Sequence, residues 1–139
     1  MDPPITHGQL SPQHILCSNN LENHRTTRYK LMGVQSGLPP PIAHFLWDLR
    51  AENQYLAPEL FTRESITTKV DIYSLGILVF VLVRDAQPSA DFESLSKFRH
   101  SESQFSQLVE IKENDWCSKD LREFINHCLR RDPDQRPTA

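Results

Sequence analysis

Histidine, glutamine and serine fall close together near the start of this chain, in His7-Gly8-Gln9-Leu10-Ser11-Pro12-Gln13-His14-Ile15-Leu16. His7, His14, Cys17 and His24 also place four potential zinc ligands within residues 7–24. Their spacing follows no standard zinc motif, so no metal site is expected. Gln9 can orient a hydroxyl or a water, but a neutral amide cannot take a proton near neutral pH. A water-placing glutamine of the GTP-hydrolase kind needs a phosphate cradle. The four glycines are scattered, with no G-x-G-x-x-G run and no partner lysine to supply one. The loop holds polar groups that could position a substrate, and Gln9 itself supplies no base.

The elements around these residues can be read from pattern. A turn leads into a short apolar strand, Ile15-Leu16-Cys17. The polar stretch from Asn19 to Arg28 is expected to be a hairpin loop, with Tyr29-Lys30-Leu31-Met32 as the second strand. Residues 33–55 are irregular and contain Pro39-Pro40-Pro41 and Phe45-Leu46-Trp47. The prolines fit a stiff loop, since no P-x-x-P with a neighbouring base marks an SH3 ligand. From Pro58 onward the pattern turns helical. Asp71–Val83 is apolar on all sides past Ser74, as in a buried helix. Its Ile, Val and Phe residues also suit a central strand, and periodicity does not separate the two; length, together with the family resemblance given below, favours the helix. Glu93–Glu110 carries a weaker helical pattern. Ser118 begins the clearest helix as N-cap, with Asp120 in its first turn. Leu121, Phe124, Ile125, Cys128 and Leu129 form one apolar stripe there, and Pro133 blocks continuation.

At 139 residues there is room for one domain and one core. The net charge of −3 gives no reason to expect a nucleic acid or a membrane surface as partner. Three cysteines without C-x-x-C spacing fit reduced thiols. No secretory signal is visible, and the Leu75–Val83 apolar run is too short to span a bilayer. A soluble cytoplasmic domain is expected.

Three segments in order carry a family resemblance. They are Tyr55-Leu56-Ala57-Pro58-Glu59-Leu60, then Val70-Asp71-Ile72-Tyr73-Ser74-Leu75-Gly76, then Cys128-Leu129-Arg130-Arg131-Asp132-Pro133 running on to Gln135-Arg136-Pro137-Thr138. Together they resemble the large lobe of a protein kinase, with its APE motif, the start of its long buried helix and its closing R-P-T. The resemblance covers the chain from about Thr6 to Thr138. It implies a mainly α fold: a protein-kinase-like large-lobe fragment with a small β-hairpin near the N-terminus. Residues 1–139 would be a partial kinase-like domain, and the small lobe would lie elsewhere in a longer parent chain. The His-Gly opening and the Leu-Ala-Pro-Glu run look most like tyrosine-kinase-like or receptor-cyclase-type pseudokinase regions.

The same resemblance identifies what has changed. Against a catalytic loop reading H-R-D-L-K-P-E-N-I-L, His7, Leu10, Pro12, Ile15 and Leu16 match. The proton-accepting Asp is Gln9, and general-base action is worth roughly 10²–10⁴ in rate. The phosphate-side Lys is Ser11. The metal-holding Asn is His14, and an imidazole is a poor ligand for a hard ion that prefers oxygen. The D-F-G position falls at Gly33-Val34-Gln35, or at Leu31-Met32-Gly33 after a slip of two, and neither supplies a carboxylate. Gly8 replaces the Arg that answers activation-segment phosphorylation, so phosphorylation within residues 34–56 is not expected to switch the lobe.

The implied structural positions remain: His7, Glu59 paired with Arg136, Asp71 beneath the catalytic-loop backbone, and Gly76 at a close approach. The expected function is a non-catalytic pseudokinase lobe that scaffolds or regulates a signalling protein partner. ATP and magnesium are not expected as cofactors. The alternatives are an active ATP-dependent kinase with atypical motifs and an inert truncated product. The inert reading rests on the Leu75–Val83 helix lacking a covering neighbour.

Overall fold

The computed structural model describes residues 6–19, 27–33, 55–62, 66–84 and 117–138. The expectations for Pro39-Pro40-Pro41, for Phe45-Leu46-Trp47, for the 34–56 phosphorylation segment up to residue 54 and for a Glu93–Glu110 helix lie outside the described residues.

A 3-10 turn at Pro12–His14 begins on a proline, whose fixed φ suits a helical first position. It delivers the chain into strand β1 (Ile15–Asn19), which pairs antiparallel with β2 (Thr27–Leu31). The register sets Ile15 opposite Leu31, Cys17 opposite Tyr29 and Asn19 opposite Thr27. Both strands reach further toward the hairpin loop than the apolar pattern implies, taking in Ser18, Asn19, Thr27 and Arg28. A ladder is closed by backbone groups, so polar residues extend it where the side chains stay in water, and every residue of β2 is exposed. Met32 lies just past the strand, but its N–H still donates to the His14 carbonyl at 2.8 Å.

The second part is helical. Tyr55, Leu56 and Ala57 are buried and lead into the single turn α1 (Glu59–Thr62). Helix α2 (Lys69–Arg84) resolves the helix-or-strand choice: it runs sixteen residues with Asp71 in its first turn. Its Val70, Tyr73, Ile77 and Phe80 are almost fully buried. The Ser74 hydroxyl lies 2.8 Å from the Tyr55 carbonyl and 3.1 Å from that of Val70, so its proton serves one of two buried acceptors. Helix α3 (Lys119–Cys128) starts where Ser118 Oγ accepts the Leu121 N–H at 3.2 Å. It lies across α2 with Ile125 and Leu129 in the shared core.

Gly76 sets how closely these helices approach. A Cβ there would stand 2.7 Å from Cys128 Cβ and 3.0 Å from Leu129 Cδ2, so only a residue without a side chain fits. A second 3-10 turn, Pro133–Gln135, follows α3, capped by Asp132, whose carboxylate accepts the Asp134 N–H at 3.0 Å.

Two burial expectations need correction. Phe124 belongs to the apolar stripe of α3 but is 40% exposed. At about 100° per residue it falls on the margin of that stripe, next to the exposed Asp120 and His127 and about 140° from Leu129, which faces α2 with Ile125. Helix α2 is also not buried all round, since Leu82 is 72% exposed on the side opposite the core. Among the described residues, no helix is long and apolar enough to cross a membrane.

Candidate functional site

The loop at residues 7–11 is fixed from below by one carboxylate. Asp71, in the first turn of α2, accepts the His7 N–H at Oδ2 (2.7 Å) and the Gly8 N–H at Oδ1 (2.8 Å). Bonds from backbone N–H to a carboxylate are charge-assisted and short. An aspartate also suits the positive end of a sixteen-residue helix. Both Asp71 oxygens are therefore turned onto backbone, 63 and 64 residues away in sequence.

His7 then ties the loop to the end of the hairpin. Its ring is buried, and Nε2 lies 2.9 Å from the Met32 carbonyl oxygen. A carbonyl only accepts, so Nε2 carries the proton. The Gln9 N–H points at Nδ1 from 3.3 Å, which agrees with a lone pair on that nitrogen. In this way His7 joins loop, strand end and helix start through its own backbone and side chain.

The remaining polar residues of the loop lie beside this clamp. Gln9 is 6% exposed, and its Nε2 has no hydrogen-bond partner among the described residues. Ser11 is buried, and its Oγ lies 2.9 Å from His14 Nδ1. Ser11 precedes the 3-10 turn in the capping position, yet its side chain makes no cap bond there and turns to the imidazole. The His14 ring packs edge-on to the His7 ring, with centroids 5.7 Å apart and planes at 72°. On another side His14 meets Gly33, the first residue after Met32. A Cβ on Gly33 would lie 3.0 Å from His14 Cδ2 and 3.5 Å from Nε2.

The structure thus brings Gln9, Ser11, His14 and Gly33 together over the His7–Asp71 clamp. Magnesium, the metal of kinase catalysis, calls for oxygen ligands in near-octahedral geometry. The side chains here are an amide, a hydroxyl engaged with an imidazole, that imidazole, and a glycine. Asp71 touches the loop only through oxygens already accepting backbone N–H groups. This donor set does not fit magnesium. Of the potential zinc ligands, His24 lies outside the described residues, and His7 has both ring nitrogens engaged. Among the described residues no group of three His, Cys, Asp or Glu side chains could hold a metal ion.

A second centre closes the base of the fold. Arg136 and Glu59 form a bidentate pair, Nη1 to Oε1 at 2.5 Å and Nη2 to Oε2 at 2.9 Å, with side chains 0% and 3% exposed. Arg136 also donates to three backbone carbonyls: from Nε to Arg130 (2.6 Å), from Nη1 to Lys69 (3.1 Å) and from Nη2 to Arg131 (2.9 Å). These contacts engage all five guanidinium N–H groups. The guanidinium carbon also lies 5.0 Å from the Tyr73 ring centroid. Sequence reasoning missed the contribution of Lys69, whose ammonium donates to the carbonyls of Arg136 (2.5 Å) and Pro137 (3.0 Å). Its position just before Val70-Asp71 was the available signal. The Ser11–His14 bond and the His14–Gly33 contact were also missed, because neither pair can be read from spacing alone.

Known proteins resemble this chain along nearly all of its length. A probable serine/threonine-protein kinase of Dictyostelium discoideum is 31% identical over 136 residues, covering 97% of this chain and 12% of that protein. The serine/threonine-protein kinase VIK of Arabidopsis thaliana is 27% identical over 141 residues, 96% of this chain and 30% of its own length. The probable serine/threonine-protein kinase WNK5 of Oryza sativa subsp. japonica is 30% identical over 138 residues, 99% of this chain and 39% of its own. The chain therefore spans well under half the length of these relatives. The profile described as "Protein kinase domain" matches residues 4–139. That match takes in both the His7–Asp71 clamp and the Glu59–Arg136 bridge, and this chain belongs to the protein kinase domain family.

Proposed function

We propose that this chain is the mainly helical large-lobe part of a pseudokinase, which acts without catalysis as a scaffold or allosteric regulator of a signalling protein. The observation that carries the reading is Gln9. It sits in the loop that Asp71 and His7 hold in place, where the kinase resemblance puts a proton-accepting aspartate. Phosphoryl transfer depends on positioning and on metal-assisted neutralisation of charge. The loop is positioned, while the base and the oxygen ligands are replaced by Gln9, His14 and Gly33. Selection for a shape that a partner recognises would keep Asp71, Glu59 and Arg136 and release the reactive positions. The small lobe belongs to the same longer parent, residues 1–139 form a partial domain, and ATP and magnesium are not cofactors of the function.

The test is a phosphoryl-transfer assay on the full-length gene product with labelled ATP and magnesium, beside Gln9→Ala and His14→Ala variants. The proposal expects no transfer above background in any of them. Transfer that disappears in either variant would establish catalysis and end this reading.

A second reading, an active kinase with atypical motifs, has one point in its favour: the relatives above are themselves named as serine/threonine-protein kinases. Those names describe proteins two-thirds or more different in sequence, so they do not bear on Gln9, His14 or Gly33. The inert-product reading draws on the exposed Leu82. It predicts aggregation of residues 1–139 expressed alone, and a cooperative melt would contradict it.

A further inference from the structure

We infer that His14 and Gly33 are interlocked: the His14 imidazole stands where a side chain on residue 33 would have to grow, so the metal position is closed by shape as well as by lost ligands. The metal half of this inference rests on the pseudokinase reading; the steric half does not.

Three observations hold the imidazole in place. Its Nδ1 is 2.9 Å from Ser11 Oγ, inside a 3-10 turn whose His14 N–H also donates to the Ser11 carbonyl at 3.0 Å. Its ring packs edge-on against the buried His7 ring. Its own carbonyl accepts the Met32 N–H at 2.8 Å. That last bond ties residue 14 to the residue immediately before Gly33, and the Met32 carbonyl is held in turn by His7 Nε2. Strand end and imidazole are thus fixed to one frame, and opening the gap between them strains these bonds.

The gap itself is full. A Cβ on residue 33 would come within 3.0 Å of His14 Cδ2, closer than ordinary contact. Gly33 also has φ of +76°, where a side chain is strained apart from any neighbour. An aspartate tolerates this backbone region better than most side chains do, so for it the neighbouring imidazole is the larger obstacle, and changing His14 removes that one. The replacement of an oxygen ligand at 14 and the loss of a carboxylate at 33 then form one linked change. Reversing either alone would not rebuild the site.

The experiment is a double-mutant cycle on melting temperature in the full-length gene product, using Gly33→Ala and His14→Ala, followed by magnesium titration of Gly33→Asp, His14→Asn and their double variant. Contacting residues typically show coupling, whereas independent ones add. Gly33→Ala is expected to lower the melting temperature about twice as much with His14 present as in the His14→Ala background, the remaining drop being the φ strain. Folding of Gly33→Ala only when it is combined with His14→Ala would support the interlock equally. Equal drops in both backgrounds, or failure to fold in both, would overturn it. In the second arm only the double variant should gain a magnesium-dependent rise in melting temperature. A gain in Gly33→Asp alone, or no gain in the double variant, would overturn closure by shape as the barrier to the metal. Failure of the pseudokinase reading shows separately, as phosphoryl transfer by the unmodified protein.

Discussion

Replacing Arg136 by lysine keeps the positive charge and tests whether the closing contact depends on charge or on the guanidinium fork. The fork makes five bonds: two to Glu59 and one each to the carbonyls of Lys69, Arg130 and Arg131. An ammonium has three donors and no planar geometry, so at least two of the five acceptors lose their partner. Each buried acceptor left unsatisfied costs about 1–3 kcal/mol. Two such losses give about 2–6 kcal/mol, toward the low end where water reaches the part-buried carbonyls, and this overlaps the range of about 3–5 kcal/mol found when one side of a buried pair is removed. Glu59→Gln approaches the same contact from the other side, leaving a buried guanidinium facing a neutral amide, and should cost about 3–5 kcal/mol. Against a total stability of about 5–15 kcal/mol, either change is large. The assay is urea unfolding of the full-length protein followed by tryptophan fluorescence. Lys119–Glu123 supplies the control: that pair is 3.8 Å apart with side chains 78% and 56% exposed, and Lys119→Ala should fall within the roughly 0–1 kcal/mol of surface bridges. If Arg136→Lys behaves like Lys119→Ala, the five bonds do not hold this contact together.

Three other contacts give outcomes that can be measured. Gly76→Ala places a methyl 2.7 Å from Cys128 Cβ and should cost about 1–3 kcal/mol by forcing α3 away from α2, read as a lower urea midpoint. Asp71→Asn leaves only one acceptor oxygen for the His7 and Gly8 N–H groups, and should cost about 1–3 kcal/mol while loosening the loop to hydrogen exchange. Burial raises the Cys128 thiol from 9.0 to about 11, only partly opposed by the charge of Arg136. The folded state then holds this proton more tightly than the unfolded state. The stabilisation is complete below pH 9 and is lost as pH rises from about 9 toward about 11. Cys128→Ala should remove that alkaline fall, and at pH 8 iodoacetamide should label the exposed Cys17 well before Cys128.

How much of this could be read from the sequence differs between elements for physical reasons. Helix α3 announces itself, because Ser118, Asp120, the apolar stripe and Pro133 all act within a few residues of one another. Helix α2 needed its length and the kinase resemblance to decide, since Ile77, Val79 and Val81 suit a strand equally well. The hairpin was visible but its limits were not: the outer rungs pair through backbone between exposed polar residues, which leaves no side-chain pattern. Glu59 and Arg136 could be named together only through motif order, and nothing in the sequence shows that Arg130, Arg131 and Lys69 also supply acceptors. Gln9, Ser11, His14 and Gly33 were each visible as departures from a kinase pattern. Their geometry was not, because the Ser11–His14 bond depends on a hydroxyl turning away from its capping role, and Gly33 reaches His14 only through the fold of the hairpin. Burial of Phe124 and Leu82 was overestimated because an apolar stripe fixes which face can be covered and leaves open how much of it is.

On the proposed reading, a kinase framework is kept while the groups using metal and ATP are replaced, and such a protein should no longer distinguish nucleotide from metal-bound nucleotide. A thermal-shift titration of the full-length protein with ATP, in the presence and absence of magnesium, reads this without an assumed substrate. Ligands that bind the folded state raise the melting temperature. Magnesium is predicted to make no difference: either no shift at all, as for a scaffold, or the same shift with and without the metal, as for a nucleotide-sensing lobe. A shift that requires magnesium would contradict the pseudokinase reading, because some group would then be replacing the carboxylate missing at Gly33 and the oxygen ligand missing at His14.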